Sequence, residues 1–365
     1  MQSEEVKLPF YVKVTIFLIG TIALFAILYI GKSIIVPLVF ATITAIMLNP
    51  IVDFLVRMKI YRIVAIAIVM LLTFLIIFAF VSPVVSQVSR FSDSWPVLVD
   101  KFTTLINQTI TDGADYFNKD PQKIHEWLSK TQSEIISTST AAIGQTLVIV
   151  GSGLVVLFLL PVYIFLILFY QPILLEFIHR LFGKNNHSQV SEIIGQVKTL
   201  IQRYLFGLLI EAVMVAALDT AALLILGIEY ALHLGILAAL LNTIPYLGGI
   251  VAVAMPMMVA LVTKTTPLYA IYVLIAYYII QLFDNHFIVP VIVASKVKIN
   301  ALFSIIVVLA GNALWGIPGM FLSIPLLAIV KLVCDHIEPL KPWGFLLGDS
   351  MPPILGIKTI FKKAK

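Results

Sequence analysis

Eight apolar runs punctuate the chain, at 14–30, 34–56, 63–85, 147–170, 203–227, 231–263, 267–293 and 301–333. Each is long enough to cross a hydrocarbon layer about 30 Å thick as a helix. In lipid, a helix satisfies all its backbone hydrogen bonds within itself, so the pattern predicts an all-α, polytopic membrane protein with about eight membrane segments. Two of the runs cannot be plain helices. The run 231–263 contains Asn242, Pro245, Gly248 and Gly249, and the run 301–333 contains Gly311, Asn312, Gly316, Pro318, Gly319 and Pro325. Proline removes a backbone donor and clashes with the preceding turn, and paired glycines weaken a helix further. Each run is therefore either a long broken helix or two half-helices meeting as a re-entrant hairpin.

Polar stretches fill the gaps. Residues 86–146 carry Trp95, Leu98, Phe102, Leu105 and Ile106 on one helical face, and Asp120-Pro121 has the form of a helix start. This predicts a small helical extracytoplasmic insertion, either a spacer on the membrane surface or a gating or partner-binding element. In 171–202, Ser188 is positioned to cap a helix whose Val190, Ile193, Ile194, Val197 and Ile201 form one stripe. That helix is expected along the cytoplasmic interface, running into the next span. The organisation read from these boundaries is 1–85, three transmembrane helices; 86–146, the insertion; 147–170, the fourth helix; 171–202, an amphipathic cytoplasmic linker; 203–335, a transport core; and 336–365, a basic tail.

Charge orients this plan. Arg57, Lys59 and Arg62 sit in a short loop without an acidic residue, which places that loop, and with it the N-terminus, on the cytoplasmic side. The tail, with Lys341, Lys358, Lys362, Lys363 and Lys365, reads as cytoplasmic too. Composition agrees with a bilayer solvent: 12% of residues are charged and mean hydropathy is +1.06, against about 25% charged in soluble domains. The net charge of +5 follows from basic loops and calls for no nucleic-acid partner. The N-terminal stretch lacks a small-residue cleavage site, so the first run reads as a retained helix. A lone cysteine, Cys334, excludes an internal disulfide.

Candidate chemistry lies in the polar residues that interrupt the last four runs. Placing a charge at mid-membrane costs roughly 2.5–3.5 kcal/mol on insertion scales, and such residues are kept where they pair or handle a polar ligand. The fifth run has Glu211 and Asp219, with Arg203, Gly207 and Glu211 spaced by four on one face; the seventh has Gln281, Asp284 and Asn285 at i, i+3 and i+4. Asp284 is suited to carry a proton or hold a cation. His286 points away from that face and reads as packed or interfacial. Asn242 and Asn312 are placed either to line a site or to satisfy backbone freed by their own breaks. Broken helices also expose backbone groups and helix-end dipoles at depth.

A weak repeat links the two halves. Glu211 precedes Asn242 by 31 residues and Gln281 precedes Asn312 by 31. If both broken runs are hairpins, the two units have inverted topology, a feature of secondary transporters; Glu211 and Asn242 then face Gln281 and Asn312. If both are ordinary spans, Lys296 and Lys298 fall outside. No metal-ligand cluster, cofactor fingerprint, Walker motif or hydrolase elbow occurs, and Gly151-Ser152-Gly153 lacks the flanking motif of an intramembrane protease. The residues thus suit a non-enzymatic, gradient-driven transporter without cofactor. Its amides suit a hydroxylated solute and its acids suit proton coupling, while a membrane scaffold acting through 86–146 is the alternative from another class.

Taken together, Arg203…Gly207, Pro245…Gly248-Gly249, Gln281-x-x-Asp284-Asn285-x-x-x-x-Pro290, Gly311-x-x-x-x-Gly316-x-x-Gly319 and Pro325 resemble the AI-2E, or PerM, family of bacterial membrane permeases, over essentially the whole chain. The chain departs from the family pattern at Ala294-Ser295-Lys296 and at Asn300-Ala301-Leu302, where a glycine-lysine pair and a Leu-x-Pro are common. The resemblance implies eight membrane segments with a soluble insertion between the third and fourth, in the bacterial inner membrane. It implies secondary transport: export of the autoinducer-2 signal in some members, sodium(lithium)/proton antiport in others. It also implies a homo-oligomer, with a pentamer as the form to expect.

Overall fold

The computed structural model describes residues 9–79, 82, 104, 159–183, 186–243, 248–264, 266–293 and 299–349. The insertion 86–146 (apart from the single residue Thr104), Pro245, Lys296, Lys298, Gly151-Ser152-Gly153 and the end of the tail lie outside the described residues. The described residues are helical, with no β-strand among them: α1 (Phe10–Ile30), α2 (Lys32–Arg57), α3 (Arg62–Ala79), α4 (Leu159–Phe182), α5 (His187–Ile225), α6 (Ala231–Asn242), α7 (Gly248–Thr263), α8 (Leu268–Phe283), α9 (Ala301–Trp315), α10 (Ile317–His336) and α11 (Lys341–Leu347). Helix α8 continues as a wide-turn π segment over Asp284–Val293. Among the described residues, seven helices are long and apolar enough to cross a membrane.

Small residues let the first bundle close. Ala41, Ala45, Leu48 and Val52 of α2 meet Ala65, Ile66 and Val69 of α3 and Ile164 and Leu168 of α4. Helix α1 buries no residue and is tied in by Trp315, whose Nε1 donates to the Leu28 carbonyl at 2.9 Å, a group left free by the end of α1. A second cluster joins α5, α6, α7 and α8. Ile43, Ile201 and Leu322 then connect α2, α5 and α10.

Prolines set two of the cross-links. Pro50 lies inside α2 and cannot donate to the Ile46 carbonyl one turn back. Gln202 of α5 supplies the missing donor, Nε2 to Ile46 O, 2.7 Å. Pro172 likewise leaves the Leu168 carbonyl of α4 unbonded, and Arg62 donates to it through Nη2 at 2.8 Å while also holding the Gln171 side chain. In both cases a side chain from a neighbouring helix supplies the donor that the proline lacks.

Helix α5 is the axis. Its 39 residues extend about 58 Å at 1.5 Å per residue, nearly twice the hydrocarbon thickness. The stretch 171–202, expected as an amphipathic linker, is helical where described: 171–182 extend α4, and 187–202 are the N-terminal part of α5, which runs unbroken into the next apolar run. This part of α5 pairs with the extension of α4, with His179 Nε2 3.0 Å from Ser191 Oγ and the His179 and His187 rings stacked at 4.8 Å. Ser188 does not cap it; α5 starts at His187 without a side-chain cap.

Both broken runs are hairpins, and they open toward opposite ends of α5. Gly227, just past the end of α5, closes the helix with a φ of +63°, and this turn lies beside Lys264 at the end of α7. The start of α6 and the end of α7 are therefore together at the C-terminal end of α5. At the other end, Gln189 near the start of α5 donates to His336 O at the end of α10. Asn300, which caps α9, donates its backbone N–H to Leu347 O. The tip of the second hairpin is Gly316, at φ +66°, ψ −144°, a conformation that essentially only glycine adopts. Pro318 falls in the first turn of α10, where its missing N–H costs nothing. Below the tip, the hairpin is sealed by glycines: a Cβ on Gly319 would run into the Gly311 carbonyl, 2.7 Å from its carbon. Ser323 Oγ reaches the Val307 carbonyl across the same crossing at 2.9 Å, and Pro325 is buried beyond it.

Candidate functional site

One face of α5 carries the acids. Tyr204, Gly207, Glu211, Val215, Asp219 and Leu223 are buried in a stripe of three- and four-residue steps. Arg203 does not share it; it is exposed, and Tyr204 occupies the stripe where the spacing of Arg203, Gly207 and Glu211 suggests the arginine. Helix α8 runs antiparallel to α5 and presents Tyr277, Gln281 and Asp284, a series of i, i+4 and i+7 on one face. Asp284 opens the π segment. The wide turns accommodate Pro290, whose ring would crowd an α-helical carbonyl, and single π turns recur at functional sites.

These two faces, with α6 and α7, line a partly open cavity of about 210 Å³. Its polar lining is Asp219, Asn242, Tyr277, Gln281 and Asp284, with Tyr278 at its edge, and no basic side chain lines it among the described residues. Asn242, at the last turn of α6, donates Nδ2 to Asp284 Oδ2 at 3.0 Å. Asp284 is 1% exposed and Asp219 3% exposed, yet Asp219 Oδ1, Asp284 Oδ1 and the Tyr277 hydroxyl have no hydrogen-bond partner among the described residues. Leaving a buried polar atom unpaired costs about 1–3 kcal/mol. All three atoms belong to residues that line the cavity. Glu211 is buried on the same stripe, but it does not line the cavity.

The remaining candidates lie elsewhere. Asn285 is exposed, whereas Asp284 beside it is buried. His286 is exposed as well, with Nδ1 2.8 Å from Leu282 O. Asn312 is exposed on α9, which packs on α10, α1 and α2, so it does not face Asn242 across the cavity. Gly248 and Gly249 open α7. Gly311, Gly316 and Gly319 shape the second hairpin and line no part of the cavity. Tyr277 is absent from the sequence reading although its spacing from Gln281 and Asp284 was available as a signal; an aromatic in an apolar run resembles ordinary packing.

Known proteins place this architecture. The chain is similar to YrrI of Bacillus subtilis (strain 168), a transport-protein candidate, at 21% identity over 352 residues, covering 92% of this chain and 98% of that protein. It is similar to YueF of the same organism, also a transport-protein candidate, at 25% over 315 residues, with 81% and 82% covered. The AI-2 transport protein TqsA of Escherichia coli (strain K12) is 23% identical over 337 residues, with 87% and 90% covered. The profile of the AI-2E family transporter matches residues 18–338. A match of that extent, on a bundle of long apolar helices, makes this chain a member of the AI-2E transporter family.

Proposed function

We propose that this chain is a secondary-active exporter of a small polar solute, with the autoinducer-2 signal as the leading candidate. The observation that carries the reading is the cavity between α5, the α6–α7 hairpin and α8. It is lined by Asp219, Asn242, Gln281 and Asp284, in helices apolar enough to lie in a bilayer. A volume of about 210 Å³ equals the liquid share of roughly seven waters, the scale of a solute with several hydroxyls. The hairpins opening to opposite ends of α5 support alternating access, because each can gate one side of a fixed site. The basic loop at Arg57, Lys59 and Arg62 supports a cytoplasmic N-terminus in an inner membrane. A homo-oligomer is part of the same proposal.

A second reading is sodium(lithium)/proton antiport. It is favoured by three buried carboxyls, Glu211, Asp219 and Asp284, with no basic residue lining the cavity among the described residues. Purified protein in liposomes separates the two. One arm loads autoinducer-2 and follows its efflux under an imposed pH gradient; the other pulses sodium or lithium against an internal pH dye. Efflux lost in Asp284→Asn supports the exporter, a cation-driven pH response lost in the same variant supports the antiporter, and silence in both arms refutes transport and leaves the scaffold reading.

A further inference from the structure

The Tyr277 hydroxyl is the unexplained group in this cavity. Its side chain is 8% exposed, its oxygen has no partner among the described residues, and it interacts electrostatically with Asp219. Yet the two do not bond, since the Tyr277 hydroxyl has no partner among the described residues, and Asp219 Oδ1 lacks one as well. A packed tyrosine normally anchors its hydroxyl when buried. Here the ring is held in the cluster of α5, α6, α7 and α8, while its hydroxyl and Asp219 Oδ1 are buried and unmatched on two residues that line the same cavity.

We propose that Tyr277 is a solute-positioning residue: its hydroxyl donates to an oxygen of the bound solute while Asp219 accepts from a hydroxyl of the same solute. The inference rests on the transport reading above and narrows it to a neutral, hydroxylated ligand. A bare cation satisfies the carboxyls but offers nothing to a donor. A solute with hydroxyls matches both, because each hydroxyl donates once and accepts twice. Phenylalanine at this position would keep the ring and its packing, so the hydroxyl can be removed alone.

That substitution separates a ligand role from a structural one by sign. A hydroxyl that supports the fold destabilises the protein when removed; a hydroxyl unpaired in the empty site does not. The test uses the full chain, wild type, Tyr277→Phe and Asp284→Asn, purified in detergent and reconstituted in liposomes. The probes are autoinducer-2, ribose and erythritol, with sodium chloride as the cation arm. Melting is measured first without and then with each probe, since a ligand of the folded state raises Tm by mass action. The expected result is a Tyr277→Phe melting temperature at or above that of the wild type without probe. A hydroxylated probe shifts the wild type, and the shift shrinks in Tyr277→Phe. Efflux of that probe should show KM raised about three- to tenfold, as for one lost neutral hydrogen bond, with kcat less affected. Sodium chloride alone should not shift the wild-type Tm. A lowered Tm without probe assigns the hydroxyl to the fold and overturns the proposal. An unchanged probe shift and KM leave it facing only water and overturn it equally. If no hydroxylated probe shifts the wild type, the ligand class is wrong whatever transport is seen. Wild-type efflux that persists with an unaffected Tyr277→Phe rejects this inference while preserving the transport reading.

Discussion

Replacing Gln202 with methionine should expose how α2 tolerates the internal Pro50. Pro50 leaves the Ile46 carbonyl without its helical donor, and Gln202 Nε2 restores one at 2.7 Å from a helix 156 residues away in sequence. Methionine keeps the length and apolar volume of glutamine and removes the donor. The carbonyl is partly buried within the protein, so the loss should cost about 1–2 kcal/mol, within the range for an orphaned polar group. The contact predicts more than a cost. In Pro50→Ala, residue 50 regains an N–H and can bond Ile46 itself. Gln202→Met should then cost less than about 0.5 kcal/mol, giving a coupling of about 1 kcal/mol between the two sites. Equilibrium unfolding of the four proteins in mixed micelles, by titration with sodium dodecyl sulfate, measures this cycle. Equal costs of Gln202→Met in the wild-type and Pro50→Ala backgrounds would refute the carbonyl-repair argument and reduce Gln202 to a packing contact.

Arg62 and Pro172 form the same kind of pair: Arg62→Gln should destabilise α3–α4 packing, and Pro172→Ala should absorb part of that loss in the same unfolding assay. Gly319→Ala puts a methyl within 2.7 Å of the Gly311 carbonyl carbon; separating the two helices should cost about 1–3 kcal/mol. Gly195→Ala, with nothing within 4 Å, should be neutral or stabilising, and equal effects at both sites would contradict the close crossing. Asn242→Leu removes the hydrogen bond to Asp284 Oδ2. It should cost about 1.5–3 kcal/mol if the carboxyl is ionised and abolish efflux, with Asn242→Leu/Asp284→Leu recovering stability but not flux. Recovery of flux in the double variant would exclude the pair from the transport site.

The sequence alone determined the solvent, the helical class and the location of the polar chemistry. Apolar runs of spanning length admit only helices in lipid. Pro and Gly marked both interrupted segments, and Asp219, Asn242, Gln281 and Asp284 stood out because polar groups in such runs are costly. What periodicity could not fix was rotation. On α5 it admitted Arg203 to the stripe of Gly207 and Glu211, whereas packing against α8 and α10 buried Tyr204. On α8 it grouped Asn285 with Asp284, whereas the helix turns Asn285 outward. The 31-residue spacing drew Asn312 toward the site, but α9 packs on α1, α2 and α10 and keeps it outside. Helix azimuth depends on which neighbours a helix meets, and those neighbours are distant in sequence. Tertiary structure alone therefore decided that the hairpins open to opposite ends of α5, and that Gln202 and Arg62 repair proline-freed carbonyls. It also left the Tyr277 hydroxyl beside the cavity without a partner, because hydrogen bonding between separate helices is settled only when they pack.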